Sequence, residues 1–429
     1  MNILICANDR PGHYATGPNA WLQRLVKDLV TNHGLNITTV FLYKGKLKDC
    51  PTITYFKSEG LPISLLKEKN LPYVADQVLA LLKIVKDLDI TVVIANLLVP
   101  AYYATPYLKK AHIPVIGVMH SNDAFYRGVI EKFIKGKTEN QLTVSVSVSE
   151  FIDKLSHNKS SNTQLEIIPC GTPVPQIKAS HDETEVLEVV YAGRLEVEQK
   201  QILKLTKAFC DAAIQDSRLR FSIYGSGTAQ IDVEKIIKEK SKSNVNYMGA
   251  VKPSDILNCL RKHQVFTLMS DYEGMPVALM EAMACGVIPV CLEESSGVNE
   301  IIEHGVNGFI VKNRTQDYLK HLQLLLDKPE LQRTLSQNAI KTIEEKYSSF
   351  ITHQRWITLL RRFNNQTVKP LRVPNRIRLS GNLLHYGDNR KPSLKEQALR
   401  QISDNWLKIR LYVRPRARLR TFLGYEEKP

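Results

Sequence analysis

The 429-residue chain has no apolar run near the length of a membrane span, which takes about 20 residues, so no spanning helix is expected. Met1-Asn-Ile-Leu-Ile5 opens directly in a strand-like apolar stretch, without a signal-peptide pattern. A secretory signal is therefore not expected, and a cytoplasmic address is the default. Cysteine is sparse and unpaired, with seven residues at positions 6, 50, 170, 210, 259, 285 and 291 and no C-x-x-C. An odd, scattered set argues against a disulfide framework or a zinc site and for reduced, buried thiols. Acidic residues are in deficit, 43 against 58 Lys and Arg, for a net charge of +15. The excess is uneven: Gln366 to Pro429 holds 15 basic and 5 acidic residues, so the basicity belongs largely to an appendage. A full dinucleotide glycine fingerprint is also missing. Gly225-Ser-Gly227 stands alone, which disfavours a nicotinamide-dependent oxidoreductase.

What is present is alternation. Strand-like runs at Asn2 to Ala7, Ile37 to Tyr43, Thr91 to Leu97, Pro114 to Met119 and Thr143 to Val148 are separated by helical stretches, among them Asn19 to Leu29 and Tyr73 to Leu88. Ile167 to Pro169 is read as the last strand of this half, and Ser149 as the cap of a short helix. After a Pro-rich, aperiodic segment from Gly171 to Glu185 the alternation resumes. Strands are expected at Leu187 to Ala192, Arg220 to Tyr224, Val265 to Met269 and Val287 to Leu292. Strands alternating with helices imply parallel sheets, whose ligands meet the carboxyl ends of the strands.

The chain is organised around Ser270 to Pro289, SDYEGMPVALMEAMACGVIP. Gly274 permits a tight turn and close approach by a ligand. Pro276 suits the first position of a helix over Val277 to Ala284, and Gly286 ends it. Free amides at such a helix start form an anion site. Glu273 and Glu281 flank it. Carboxylates repel a phosphate but accept hydrogen bonds from hydroxyls attached to it. A diphosphate carrying a hydroxyl-rich ring at each end meets both demands, and nucleotide sugars have that shape.

The E-G-x-P at Glu273, the seven intervening residues and the E-A-x-A-x-G-x-x-P from Glu281 resemble the signature of the family-4, retaining glycosyltransferases of the GT-B fold. The segment Gly193-Arg-Leu195 followed by Lys200 resembles that family's diphosphate-binding stretch. A departing nucleotide diphosphate gains negative charge, which fixed cations stabilise; Arg194 offers a donor fork and Lys200 a point charge. Lys200-Gln201 stands where the family has Lys-Gly, and Cys170 stands before Gly171 where it has Asn. The resemblance implies further that His120, just past a buried strand, positions the transferred sugar. It implies that Gly17 approaches donor and acceptor, and that the base lies by Asn246 to Val251. Gly225, Gly227, Val251, Gly274, Met275, Pro276, Val277 and Glu281 would complete the donor site, with His120, Glu273, Arg194 and Lys200 nearest the chemistry. No metal or other cofactor is implied, and no Asp-x-Asp motif lies near these residues.

The expected fold class is α/β: two Rossmann-like doubly wound domains, 1–172 and 187–345, facing across a cleft. A linker spans 173–186, a helix in 346–365 crosses back to the first domain, and a basic extension covers 366–429. The expected activity is transfer of a hexose-type sugar from a nucleotide-diphosphate donor to a hydroxyl of a glycan or lipid-linked glycan, with retention of configuration. Rival expectations are a sugar-nucleotide epimerase or phosphorylase of the same fold, and a non-catalytic carbohydrate-binding protein. Leu394, Ala398, Ile402, Trp406, Ile409 and Val413 fall at helical spacing, followed by a basic run to Arg420. That pattern suits an anionic membrane surface at 394–420, on the inner face, or packing on the enzyme body; no motif accompanies the charge to favour nucleic acid.

Overall fold

The computed structural model describes residues 1–12, 16–182, 185–240, 244–293, 297–377, 379 and 383. The first domain interleaves strands β1 (Asn2–Asp9), β2 (Asn36–Tyr43), β3 (Ile63–Lys67), β4 (Val92–Ala95), β5 (Val115–Met119), β6 (Val144–Ser147) and β7 (Gln164–Ile167) with helices α1 (Gly17–Thr31), α2 (Pro51–Ser58), α3 (Val74–Asp87), α4 (Val99–Lys110), α5 (Ala124–Val129) and α6 (Glu150–Ser156). All the strand pairs are parallel, in the order β3-β2-β1-β4-β5-β6-β7. Helices cover both faces, so Ile3 to Ala7 and Val92 to Ala95 are continuous buried runs rather than alternating ones.

The second domain repeats the plan with β8 (Leu187–Ala192), α7 (Ile202–Gln215), β9 (Leu219–Tyr224), α8 (Gln230–Lys240), β10 (Val245–Gly249), α9 (Ile256–Leu260), β11 (Val265–Leu268), α10 (Val277–Ala284), β12 (Ile288–Leu292), α11 (Val298–Ile301) and β13 (Phe309–Val311). Its order is β10-β9-β8-β11-β12-β13, again all parallel. In each sheet the winding reverses beside the first strand of the domain, and the loops leaving β1 and β8 open there.

One local expectation is corrected and one strand is added. The last strand of the first domain is Gln164–Ile167, ahead of the expected Ile167 to Pro169, because the edge strand alternates polar and apolar residues and has no apolar run to mark it. The strand Ile63–Lys67 adds an outer edge that composition did not announce. The aperiodic segment after Gly171 is pinned rather than loose: Ala179 N donates to Cys285 O at 2.7 Å, and His181 lies between Gly286 O and Gln332 Oε1.

The late helical region consists of α12 (Gln316–Asp327), α13 (Pro329–Thr342) and α14 (Ser349–Arg361), with one π-helical turn before α14. Helix α14 lies on α1 of the first domain. Trp356 packs on Trp21 with ring centroids 5.8 Å apart, and His353 Nδ1 sits 2.8 Å from Asp28 Oδ2. The expected membrane-surface segment 394–420 lies outside the described residues. Among the described residues no helix is long and apolar enough to cross a membrane.

Candidate donor-binding cleft

The loops at the carboxyl ends of both sheets face one another across a cavity of about 530 Å³. Every residue named from the sequence for the donor site or the chemistry lines it: Gly17 and His120 from the first domain, and Arg194, Lys200, Gly225, Gly227, Val251, Glu273, Gly274, Met275, Pro276, Val277 and Glu281 from the second; of the stretch Asn246 to Val251, only Ala250 and Val251 do.

The acids come from β11 and α10. Strand β11 is buried throughout and delivers the loop Ser270 to Pro276 at its end. Helix α10 spans the expected Val277 to Ala284, but Pro276 is its capping residue rather than its first helical one, with extended backbone angles. Gly286 closes the helix at φ 80°, where only glycine is unstrained. Glu273 and Glu281 are each 6% exposed, so each carboxylate needs a partner. Glu273 is paired with Lys200, and Glu281 with Arg24 of α1 in the opposite domain.

The cations come from the loop after β8. Arg194 donates to Glu196 Oε1 at 2.6 Å and to Gln199 Oε1 at 2.8 Å. Gln199 Nε2 reaches Tyr272 O at 3.0 Å, and Asp271 N donates to Gln199 O at 2.9 Å, which ties this loop to the acid-bearing one. Gln201, just past Lys200, sits at φ 51° in the left-handed region and is bonded to Glu198 O and Asp271.

The glycines have reasons the sequence does not state. A side chain at Gly225, whose φ is 144°, would collide with the Gly193 carbonyl, and one at Gly227 with the Leu195 carbonyl. These two glycines let the loops after β9 and β8 touch. Gly274 needs its lack of a side chain because the His120 carbonyl of the other domain occupies that space, and the Gly274 carbonyl in turn occupies the side-chain position of Gly297. Close approach between the domains sets the demand at Gly274; its φ is not positive. Gly17 has no such constraint: a Cβ there would meet Val277 Cγ2 at 3.9 Å.

His120 follows β5 and is held by side chains, not by local backbone. Its Nε2 lies 2.8 Å from Asn96 Oδ1, which requires the proton on Nε2. Its Nδ1 faces Cys170 Sγ at 3.8 Å, and its ring meets Trp21 edge-on with centroids 5.0 Å apart. Burial pushes its pKa down from 6.5 to about 3, so it is a neutral imidazole. Burial also pushes the Cys170 thiol up to about 12. Cys170 is thus a protonated neighbour of His120 that lines the cleft without nucleophilic character.

Two residues escaped the sequence reading. Arg24 is one turn of α1 beyond Ala20 and two beyond Gly17, and all three line the cleft; that shared helical face was the only available signal. Glu300 on α11 crosses the interface in the opposite direction. Its oxygens accept from Glu150 N at 2.8 Å and Phe151 N at 2.7 Å, capping α6 together with Ser149, whose Oγ accepts from Ile152 N. Among the described residues no group of three or more His, Cys, Asp or Glu side chains gathers as a metal would need.

Residues 174–342, which carry the second-domain wall of this cleft, match the family model described as glycosyl transferases group 1. Among curated proteins, the chain is similar to the alpha-monoglucosyldiacylglycerol synthase of Acholeplasma laidlawii, 26% identical over 54% of this chain and 65% of the relative. It is similar to the alpha-D-kanosaminyltransferase of Streptomyces kanamyceticus, 29% identical over 37% of this chain and 42% of the relative. The chain therefore spans less than two thirds of the length of both. It is also similar to the O-antigen biosynthesis glycosyltransferase WbnH of Escherichia coli, 26% identical over 62% of this chain and 77% of the relative. Among solved structures, Anabaena Alr3699/HepE in complex with UDP and glucose superposes with a TM-score of 0.67, at 17% identity over 84% of this chain and 99% of that one. The pneumococcal O-GlcNAc transferase GtfA in complex with UDP and GlcNAc gives 0.68, at 14% identity over 85% and 99%. The fold is GT-B. The family match covers the second domain, and the sequence relatives are all named as glycosyltransferases or a glycolipid synthase.

Proposed function

We propose that the chain transfers a hexose-type sugar from a nucleotide-diphosphate donor to a hydroxyl of a glycan or lipid-linked glycan, with retention of anomeric configuration and without a metal. The observation that carries this reading is the convergence of Glu273, Glu281, Arg194 and Lys200, remote in sequence, on one cleft beside the start of α10. Each group matches one part of such a donor. Glu281 accepts from the ribose hydroxyls. Glu273 and the amides following Gly274 hold the sugar hydroxyls, and Val251 lies by the base.

The diphosphate meets Arg194 and Lys200. Both cations already neutralise acids, Glu196 and Glu273, so the donor draws them from preformed ion pairs within the site. As the glycosidic bond breaks they stabilise the departing charge. His120, neutral and oriented by Asn96, positions the sugar from the opposite wall. The leaving phosphate assists the incoming hydroxyl on the face it vacates, which gives retention. The structural relatives solved with UDP, with glucose or GlcNAc, lend support to a UDP-linked donor.

A donor panel tests the reading. Thermal stabilisation by UDP, GDP and ADP sugars is compared, and hydrolysis or transfer is then followed with the best donor in EDTA. One donor should stabilise and turn over with the anomer retained; inversion or loss of activity in EDTA would refute those parts separately. Peripheral attachment through 394–420 belongs to the same proposal, and deleting Leu394 to Pro429 should then abolish binding to anionic vesicles.

A further inference from the structure

The Arg24–Glu281 pair joins the two walls of the cleft, yet leaves each partner half used. The pair is made by Arg24 Nη2 and Glu281 Oε1. Arg24 Nη1 is buried and has no hydrogen-bond partner among the described residues. No described residue donates to Glu281 Oε2. A guanidinium can grip a carboxylate with two parallel bonds, and here it does not. What remains is a buried donor nitrogen on one domain and an acceptor oxygen on the other, carried by two paired residues that line the same cavity.

An unmet buried guanidinium nitrogen costs free energy until an acceptor arrives. A simple anion would satisfy Arg24 but be repelled by Glu281. A vicinal diol satisfies both, since each hydroxyl is donor and acceptor at once. We propose that Arg24 and Glu281 together form a two-domain clamp for the cis-diol of the donor's ribose. One hydroxyl donates to Glu281 Oε2 while an oxygen of the diol accepts from Arg24 Nη1. Arg24 is then a specificity-determining residue contributed by the wall opposite the one that bears Glu281. This rests on the donor reading above for Glu281 and extends it to the first domain.

Calorimetric titration separates the two. The tightest of UDP, GDP and ADP, and its 2′-deoxy analogue, are titrated into wild type, R24M, R24K, E281Q and E300Q, with unfolding midpoints recorded for each. If no nucleoside diphosphate binds wild type, the donor reading fails and the clamp with it. If one binds, wild type should prefer the ribonucleotide to the 2′-deoxy form by about tenfold or more, the worth of a hydrogen bond to a charged group. R24M and E281Q should each weaken ribonucleotide binding about tenfold and remove most of the preference, and R24M/E281Q should be little worse than either, because the two act as a unit. R24K keeps the charge but not the fork and should fall between, which covers the case in which R24M folds poorly. E300Q breaks the other cross-domain contact and should keep the preference. Wild-type discrimination in R24M would overturn the clamp, as would equal loss of discrimination in E300Q, which would reduce Arg24 to a general closure contact.

Discussion

The carbonyl oxygen of His120 occupies the space where a side chain at Gly274 would begin. Two chain segments from different domains, one bearing His120 and the other Glu273, are therefore in backbone contact, and the Gly274 carbonyl in turn fills the side-chain position of Gly297. A methyl group at 274 would meet backbone, which cannot swing aside as a side chain can. Gly274→Ala should hold the domains apart and cut transfer by at least about a hundredfold, the scale of a misplaced reacting group. It should cost about 1–3 kcal/mol in stability from overpacking. Steady-state rates and small-angle scattering of the nucleotide-bound protein check this: full activity and an unchanged radius would show that the contact can relax.

Lys200 and Glu273 form an ion pair whose side chains are 13% and 8% exposed. Removing one partner strands the other charge, at a cost of about 3 kcal/mol or more. Lys200→Met should accordingly destabilise the protein in urea unfolding, and Lys200→Met/Glu273→Gln should recover much of that stability without recovering transfer. A single variant as stable as wild type would mean that the pair is solvated.

Gln201 carries left-handed backbone beside Lys200. Gln201→Gly and Gln201→Ala both lose its side-chain bonds, and only alanine keeps the strain. Glycine should therefore exceed alanine in unfolding free energy by about 1 kcal/mol. Equal stabilities would place Gln201 in relaxed backbone.

His120 fixes a sign for pH. Burial lowers its pKa from 6.5 to about 3, so between those values the unfolded chain binds the proton more readily than the folded one. The stability this group contributes is complete above pH 6.5 and is lost as pH falls toward 3. His263 and His353 are lowered in the same direction by burial, so the informative quantity is a difference: His120→Gln should flatten the acid limb of the stability curve relative to wild type. An identical pH slope in the variant would mean that His120 takes up protons in the fold.

Much of this was legible because the signals are local. The limits of α10 are punctuated by Pro276 and Gly286, and the strands of a sheet covered on both faces are bare apolar runs. The acids and cations of the cleft carry their own spacing. Edge strands were harder: Ile63–Lys67 and Gln164–Ile167 are only partly buried, so neither carries the long apolar run that marks the inner strands. Cross-domain partners were beyond reach. Arg24 meets an acid 257 positions away, and the amides that hold Glu300 lie 149 and 150 positions from it. In sequence Arg24 is one more polar residue on a helix, and only folding shows that the acid assigned to the ribose has a guanidinium from the other domain.

The most direct test of the central claim is a structure of the protein with an intact nucleotide sugar bound. The account predicts the diphosphate between Arg194 and Lys200 at the start of α10, the ribose hydroxyls on Glu281, and the sugar between Glu273 and His120. A nucleotide bound elsewhere, or bound here with its phosphates away from Arg194 and Lys200, would contradict it.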